Sequence, residues 1–128
     1  MWPIPHRLLG GLLLECDARP NLLFDEAVIQ GDVNCIQARI RTLCFSHARI
    51  EGIAMFLEAI VEGLADFRGT RFVHGATFAS ARLGDTHFES ASFEGQSYFE
   101  ECEARNLFLG PNRPTIFPLA RPKFLSRW

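Results

Sequence analysis

At 128 residues, 48% of them hydrophobic, the chain has the size and composition of one ordinary globular domain. Its 13 basic and 15 acidic residues leave a net charge of −2, which supplies no electrostatic drive towards nucleic acid or an anionic membrane. Four cysteines, Cys16, Cys35, Cys44 and Cys102, have no two-residue spacing of a zinc knuckle or redox motif, so free thiols in a reducing cytoplasm are expected.

Residues 1–20 read as a cap. The run Leu8-Leu9-Gly10-Gly11-Leu12-Leu13-Leu14-Glu15-Cys16 is apolar but far too short to span a bilayer. Glu15 directly before Cys16 argues against a lipoprotein cleavage site, and no small-residue secretory site stands out. A short helix or strand whose leucines cover the end of a following core is expected.

From residue 21 to residue 109 the chain repeats. Ala65-Asp66-Phe67-Arg68-Gly69 is followed by Thr70-Arg71-Phe72, Ala76-Thr77-Phe78, Ala81-Arg82-Leu83, Thr86-His87-Phe88 and Ala91-Ser92-Phe93. Each unit holds a small residue, a polar one and a large apolar one, then two mostly polar or small ones. Steps of five fit neither the helix period nor simple strand alternation. Short extended segments joined by turns satisfy them, with the small and the large residue both pointing inward.

Every fourth unit falls into a column. Phe24, Phe45, Phe67, Phe88 and Leu109 form the first, and Ile29, Ile50, Phe72 and Phe93 the second. Met55, Phe78 and Phe99 form the third, with a degenerate step near Asn34 and Cys35. Ile40, Val61, Leu83 and Ala104 form the fourth, with small partners Ala38, Ala59, Ala81 and Cys102. Stacked coils bury a continuous column that no single coil could bury alone. Four coils at about 4.8 Å make a rod roughly 20 Å long.

On these residues the chain resembles the pentapeptide-repeat family, most closely over 65–95. The resemblance implies a right-handed quadrilateral β-helix with the large residue inward; together with the coils counted above, the expected fold is all-β, about four coils between an N-terminal cap and an extended C-terminal tail. A second, shorter likeness lies in Ala48-Arg49-Ile50-Glu51-Gly52 and Ile60-Val61-Glu62-Gly63, which are similar to the repeats of bactofilins, polymer-forming bacterial β-helices.

The tail, 110–128, holds four prolines and is expected to run extended. Six acids and no Lys or Arg lie between Asp85 and Glu103, whereas five bases and no acid follow from Arg105 onward. That opposition points to a tail docked on the last coil of its own chain or of a neighbour. Arg113, Phe117, Arg121, Phe124 and Trp128 are the candidate partner-binding residues.

No chemistry stands out elsewhere. His6, His47, His74 and His87 do not converge with a third ligand, so no metal site is expected. No serine sits in a nucleophile elbow, and Glu100 and Glu101, adjacent on an extended segment, would face opposite ways. The glycines at 52, 63, 69, 75, 84 and 95 are assigned to turns rather than to a phosphate loop. Arg39, Arg41, Arg82 and Arg105 could form a basic stripe, but Glu62, Asp85 and Glu103 interleave with it. No catalytic residue, cofactor, nucleic-acid contact or membrane span is therefore expected.

The expected function is a non-enzymatic structural or interaction module that offers flat faces and a tail to a protein partner or to itself. The family resemblance implies an alternative, a DNA mimic that binds type II topoisomerases, which demands a long and continuously negative rod. The second likeness implies another, a cytoskeletal polymer.

Overall fold

The computed structural model describes residues 20–110 and the backbone of two further strands, Arg7–Leu8 and Leu12–Leu13. All regular elements among them are strands, most only two or three residues long, and the pairings between them are parallel. Short parallel strands with no helical crossovers arise when a chain winds repeatedly in one sense and each winding pairs with the one below.

The windings have four sides. Side 1 stacks Asn21–Leu23, Thr42–Cys44 and Leu64–Asp66 beneath the second halves of Arg82–His87 and Glu103–Phe108. Side 2 stacks Arg7–Leu8, Val28–Ile29, Arg49–Ile50, Arg71–Phe72 and Ser92–Phe93. Side 3 stacks Leu12–Leu13, Val33–Asn34, Ala54–Met55, Ala76–Thr77 and Ser97–Tyr98. Side 4 holds Arg39–Ile40, Ile60–Val61 and the first halves of Arg82–His87 and Glu103–Phe108. Backbone hydrogen bonds run up the stack, as where Phe24 N donates to Cys44 O at 2.7 Å, Phe45 N to Asp66 O at 2.8 Å and Phe67 N to His87 O at 2.8 Å.

Two kinds of corner close the square. After sides 1 and 3 the chain makes a four-residue turn: Ala48 N donates to Phe45 O at 2.8 Å, and Ala59 N to Phe56 O at 3.1 Å. The third residue of such a turn adopts a left-handed backbone, the type II pattern. Gly69 has φ +67°, but Glu26, Gln37, His47, Glu58, Ser80, Ser90 and Glu101 fill the equivalent places with φ of 58–62°. This corrects two expectations. Side chains, not glycines, occupy most left-handed corners, and Glu100 and Glu101 belong to a turn, not an extended segment. Gly84 serves close approach instead, since a Cβ there would lie 1.9 Å from Gly63 O of the winding below. That corner, between sides 4 and 1, has no turn in the upper windings, so the two sides merge into one sheet.

Inside, the columns stack. Phe24, Phe45, Phe67 and Phe88 lie ring over ring at 5.5, 6.0 and 5.2 Å, with interplanar angles of 13°, 4° and 9°. Phe56, Phe78 and Phe99 form a second stack at 5.1 Å per step. The two stacks meet edge to face, as in Phe67–Phe78 at 5.4 Å and 83° and Phe78–Phe88 at 5.6 Å and 86°, the arrangement aromatic quadrupoles favour. Ile29, Ile50 and Phe72 complete side 2, and Ile40, Val61, Leu83 and Ala104 side 4, all fully buried. Phe93 stacks on Phe72 at 4.6 Å but is only partly buried, because it stands on the last strand of its side.

The third column differs from expectation. Met55 points outward and is half-buried, while Phe56 fills the inward place, and Cys35 begins the column at the apparently degenerate step. The cause is the corner between sides 2 and 3, which takes six residues where most others take five: Ile29 to Cys35, Ile50 to Phe56, Phe72 to Phe78 and Phe93 to Phe99. A count of five from Ile50 therefore stops one residue short.

Of the cap expected over 1–20, Arg7–Leu8 and Leu12–Leu13 pair in parallel with Val28–Ile29 and Val33–Asn34, continuing sides 2 and 3 by one strand each. The tail residues Arg113, Phe117, Arg121, Phe124 and Trp128 lie outside the described residues. No helix among the described residues is long and apolar enough to cross a membrane.

Candidate interaction surface

With the interior filled, whatever the fold does it does with outward side chains. A two-residue strand that sends one residue in sends the other out, so each side presents one outward residue per winding, and stacking aligns them in rows.

Side 2 carries charge. Arg49 and Arg71 come into register, and each is held by a glutamate, Arg49 Nε by Glu51 Oε2 at 3.0 Å and Arg71 by Glu94. Those contacts draw the Glu94 carboxyl below its ordinary pKa, the Arg71 hydrogen bond first and the Arg71 charge with it. On side 4 the register runs Arg39, Ile60, Arg82, Glu103, so an isoleucine and a glutamate interrupt the basic stripe. Arg82 Nε lies 3.8 Å from Glu103, and Arg105 donates to Glu62 O at 2.7 Å and sits 3.9 Å from Asp85. Of the stripe, Arg39 and Arg41 are exposed and meet no acidic side chain among the described residues.

The acidic block is accordingly engaged within the coil. Asp85 meets Arg105 and accepts from Asn106 Nδ2 at 2.7 Å, Glu89 meets His87 at 3.2 Å, Glu94 meets Arg71 and Glu103 meets Arg82. A sequence window from 85 to 103 could not show most of this, because the partners other than His87 lie beyond the window.

Side 1 brings Cys44, Asp66 and His87 into vertical register, an acid between a thiol and an imidazole that lie 43 residues apart in sequence. The arrangement is structural. Asp66, 4% exposed, accepts from Arg68 N at 3.0 Å, Arg68 Nε at 2.9 Å and Arg68 Nη2 at 2.7 Å. Burial alone would raise this carboxyl, but the hydrogen bonds and charge of Arg68 outweigh it and hold the group below its ordinary value. His87 stacks on Phe108 at 4.5 Å and 10°, and its Nδ1 faces both Glu89 oxygens at 3.2 Å. Burial, reinforced by the Asp25 and Asp66 charges, pushes the Cys44 thiol up to about 11. Burial likewise pushes Cys35 and Cys102 to about 12. A thiol so rarely ionised is a poor nucleophile. No three His, Cys, Asp or Glu side chains among the described residues are grouped to hold a metal.

Side 3 stands apart. Its outward row is Asn34, Met55, Thr77 and Tyr98, with no charge in it. The winding through Met55 is apolar on both faces: Ala54 and Phe56 point in, Ile53, Met55 and Leu57 out. Ile53 and Tyr98 are each 46% exposed. Periodicity hid this row, because attention to inward residues assigned Met55 to the core.

Residues 56–103 match the family model of pentapeptide repeats (9 copies). No curated protein and no solved structure matches the chain. The parallel stacking continues beyond the matched windings down to Asn21 and up to Phe108, so the chain is a four-sided β-solenoid of about four windings, similar over 56–103 to pentapeptide-repeat proteins.

Proposed function

We propose that this protein is a non-enzymatic interaction module, a short rigid β-helix that presents flat sides and its C-terminal tail to a protein partner in the cytoplasm. The observation that carries the reading is the filled interior. The large inward side chains, among them Phe24, Phe45, Phe56, Phe67, Phe78, Phe88 and Phe99, are essentially inaccessible, so they leave the tube no room for a ligand. The reactive side chains support it: the buried thiols are silenced, and Asp66 and His87 are committed to neighbours. In this reading Arg113, Phe117, Arg121, Phe124 and Trp128 anchor the partner, with the apolar residues supplying most of the energy because exposed ion pairs are individually weak.

The test is gentle cross-linking and co-purification of the full chain from its native host, beside a chain ending at Gly110. Recovery of a stoichiometric protein partner that the shortened chain loses supports the reading. Recovery of the protein alone from both overturns it. A type II topoisomerase supercoiling assay separates this reading from DNA mimicry, and inhibition there would favour the mimic. The pairing of Asp85, Glu94 and Glu103 with arginines counts against that outcome, since it dissipates the negative potential that mimicry needs.

A further inference from the structure

The upper end of the tube is covered unevenly. Phe93, Phe99, Cys102 and Ala104 point inward from the last described winding, and no described strand pairs above Ser92–Phe93, Ser97–Tyr98 or Glu103–Phe108. A winding with nothing over it leaves its inward residues part-exposed, as Phe93 is on side 2. Phe99 is nevertheless only 1% exposed, and Cys102 and Ala104 are 0% exposed. Leu107 and Leu109, which follow them on side 1, are themselves only partly buried. The end is therefore closed above sides 3 and 4 and open above side 2. We propose that the C-terminal segment 111–128 of the same chain seats across this end and closes the half above sides 3 and 4.

Exit point and length fit that occupant. The chain leaves the tube at Gly110, where a Cβ would lie 2.9 Å from Glu89 Cγ, at the corner between sides 1 and 2, and 18 residues follow. Extended, they reach about 60 Å. That is several times the width of a side, about 16 Å for five residues at about 3.3 Å. The segment cannot add a further winding of the same kind. The last windings are 21 residues apart, as from Arg82 to Glu103 and from His87 to Phe108, so Pro111 would stand over Ser90 and Pro122 over Glu101. Both places take a left-handed backbone, φ 62° and 59°, whereas a proline ring fixes φ near about −65°. A segment that cannot repeat the corners crosses the end instead of encircling it.

The chemistry of the two surfaces matches. Ile116, Phe117, Leu119, Phe124, Leu125 and Trp128 supply apolar cover for Phe99, Cys102 and Ala104. The segment carries Arg113, Arg121, Lys123 and Arg127 and no acid, and the corner between sides 3 and 4 presents the exposed acids Glu100 and Glu101. Apolar burial supplies the hold, and the charges set the direction of approach. The inference goes beyond the interaction-module reading: residues offered there to a partner first cover their own chain, so a partner that takes them competes with the seat.

Cys102 reports the seat directly. In a Cys16→Ser background, native labelling with a thiol reagent and peptide mapping should find Cys102 protected in the full chain. In a chain ending at Gly110 it should label at least ten-fold faster, while Cys35, in the lower windings, stays protected in both. The full chain carrying Phe124→Asp and Leu125→Asp should behave as the shortened one does. Far-ultraviolet dichroism checks that each chain keeps its strands, and if the shortened chain unfolds, the substituted full chain decides. Equal protection of Cys102 in all folded chains overturns the inference. So does protection in the full chain that fades on dilution, which assigns the cover to the tail of a second copy. Either result, with a protein partner still recovered by co-purification, leaves the module reading in place.

Discussion

Asp66 shows how a single residue of the repeat acquires a task its neighbours lack. It stands at the second position of its unit, where most units carry a residue that faces solvent, but here the carboxylate folds back onto Arg68 and is buried. Because its folded-state pKa is lowered, the stability it contributes is fully present above the unfolded value near 4 and is lost as pH falls through the folded value. Asp66→Asn should lower stability near neutral pH by about 1.5–3 kcal/mol, the range for hydrogen bonds to charged groups, and should flatten the loss on acidification. Urea unfolding across a pH series measures both. The thiols make a second expectation at this scale. In a Cys16→Ser background, Cys35, Cys44 and Cys102 should stay unlabelled by a thiol reagent at mildly alkaline pH and react once urea unfolds the chain.

The corner turns are where elements are decided. A left-handed backbone costs an L-residue roughly 1–2 kcal/mol, yet seven of the corners described carry a side chain there. Glu58→Gly should thus raise stability by up to about 1 kcal/mol, the gain being limited by the greater freedom glycine brings to the unfolded chain. Gly69→Ala should act in the opposite direction and more strongly, since the added methyl also meets the His47 ring, 2.4 Å from Nδ1. Differential scanning calorimetry of the pair gives the sign of each.

The strands between these corners were legible from the sequence because the inward residues are large, aromatic and evenly spaced. The stacking of Phe45, Phe67 and Phe88 follows directly from a spacing of 21 or 22. The six-residue corner was not legible at Met55. Met55 and Phe56 are both apolar and adjacent, so composition could not say which turned inward. The side chains of the acidic block were equally opaque, because Glu94 finds Arg71 23 residues earlier, on the winding below. Such partners become visible only once the register is known. The tail residues chosen for partner binding rest on composition and charge alone.

For the molecule as a whole, a stack in which each winding touches only the next makes stability depend on position. Phe67 has ring neighbours above, below and to the side in Phe88, Phe45 and Phe78, whereas Phe24 has Phe45 as its ring neighbour among the described residues. Phe67→Ala should cost about 3–5 kcal/mol and Phe24→Ala distinctly less, at or below the low end of that range. Native-state hydrogen exchange should likewise be slowest for the amides of Phe45, Phe67 and Phe88 and faster towards both ends.

The pure phenylalanine stacks also govern how the molecule can be watched. Trp2 and Trp128 stand at the two ends of the sequence, and the one tyrosine, Tyr98, lies on the outer surface. No tryptophan lies among the described residues, so the stacked rings at the heart of the tube are all phenylalanine. Loss of the tube's centre is to be followed in the near-ultraviolet dichroism of the benzyl chromophores, whose fine structure should vanish as the stacks come apart.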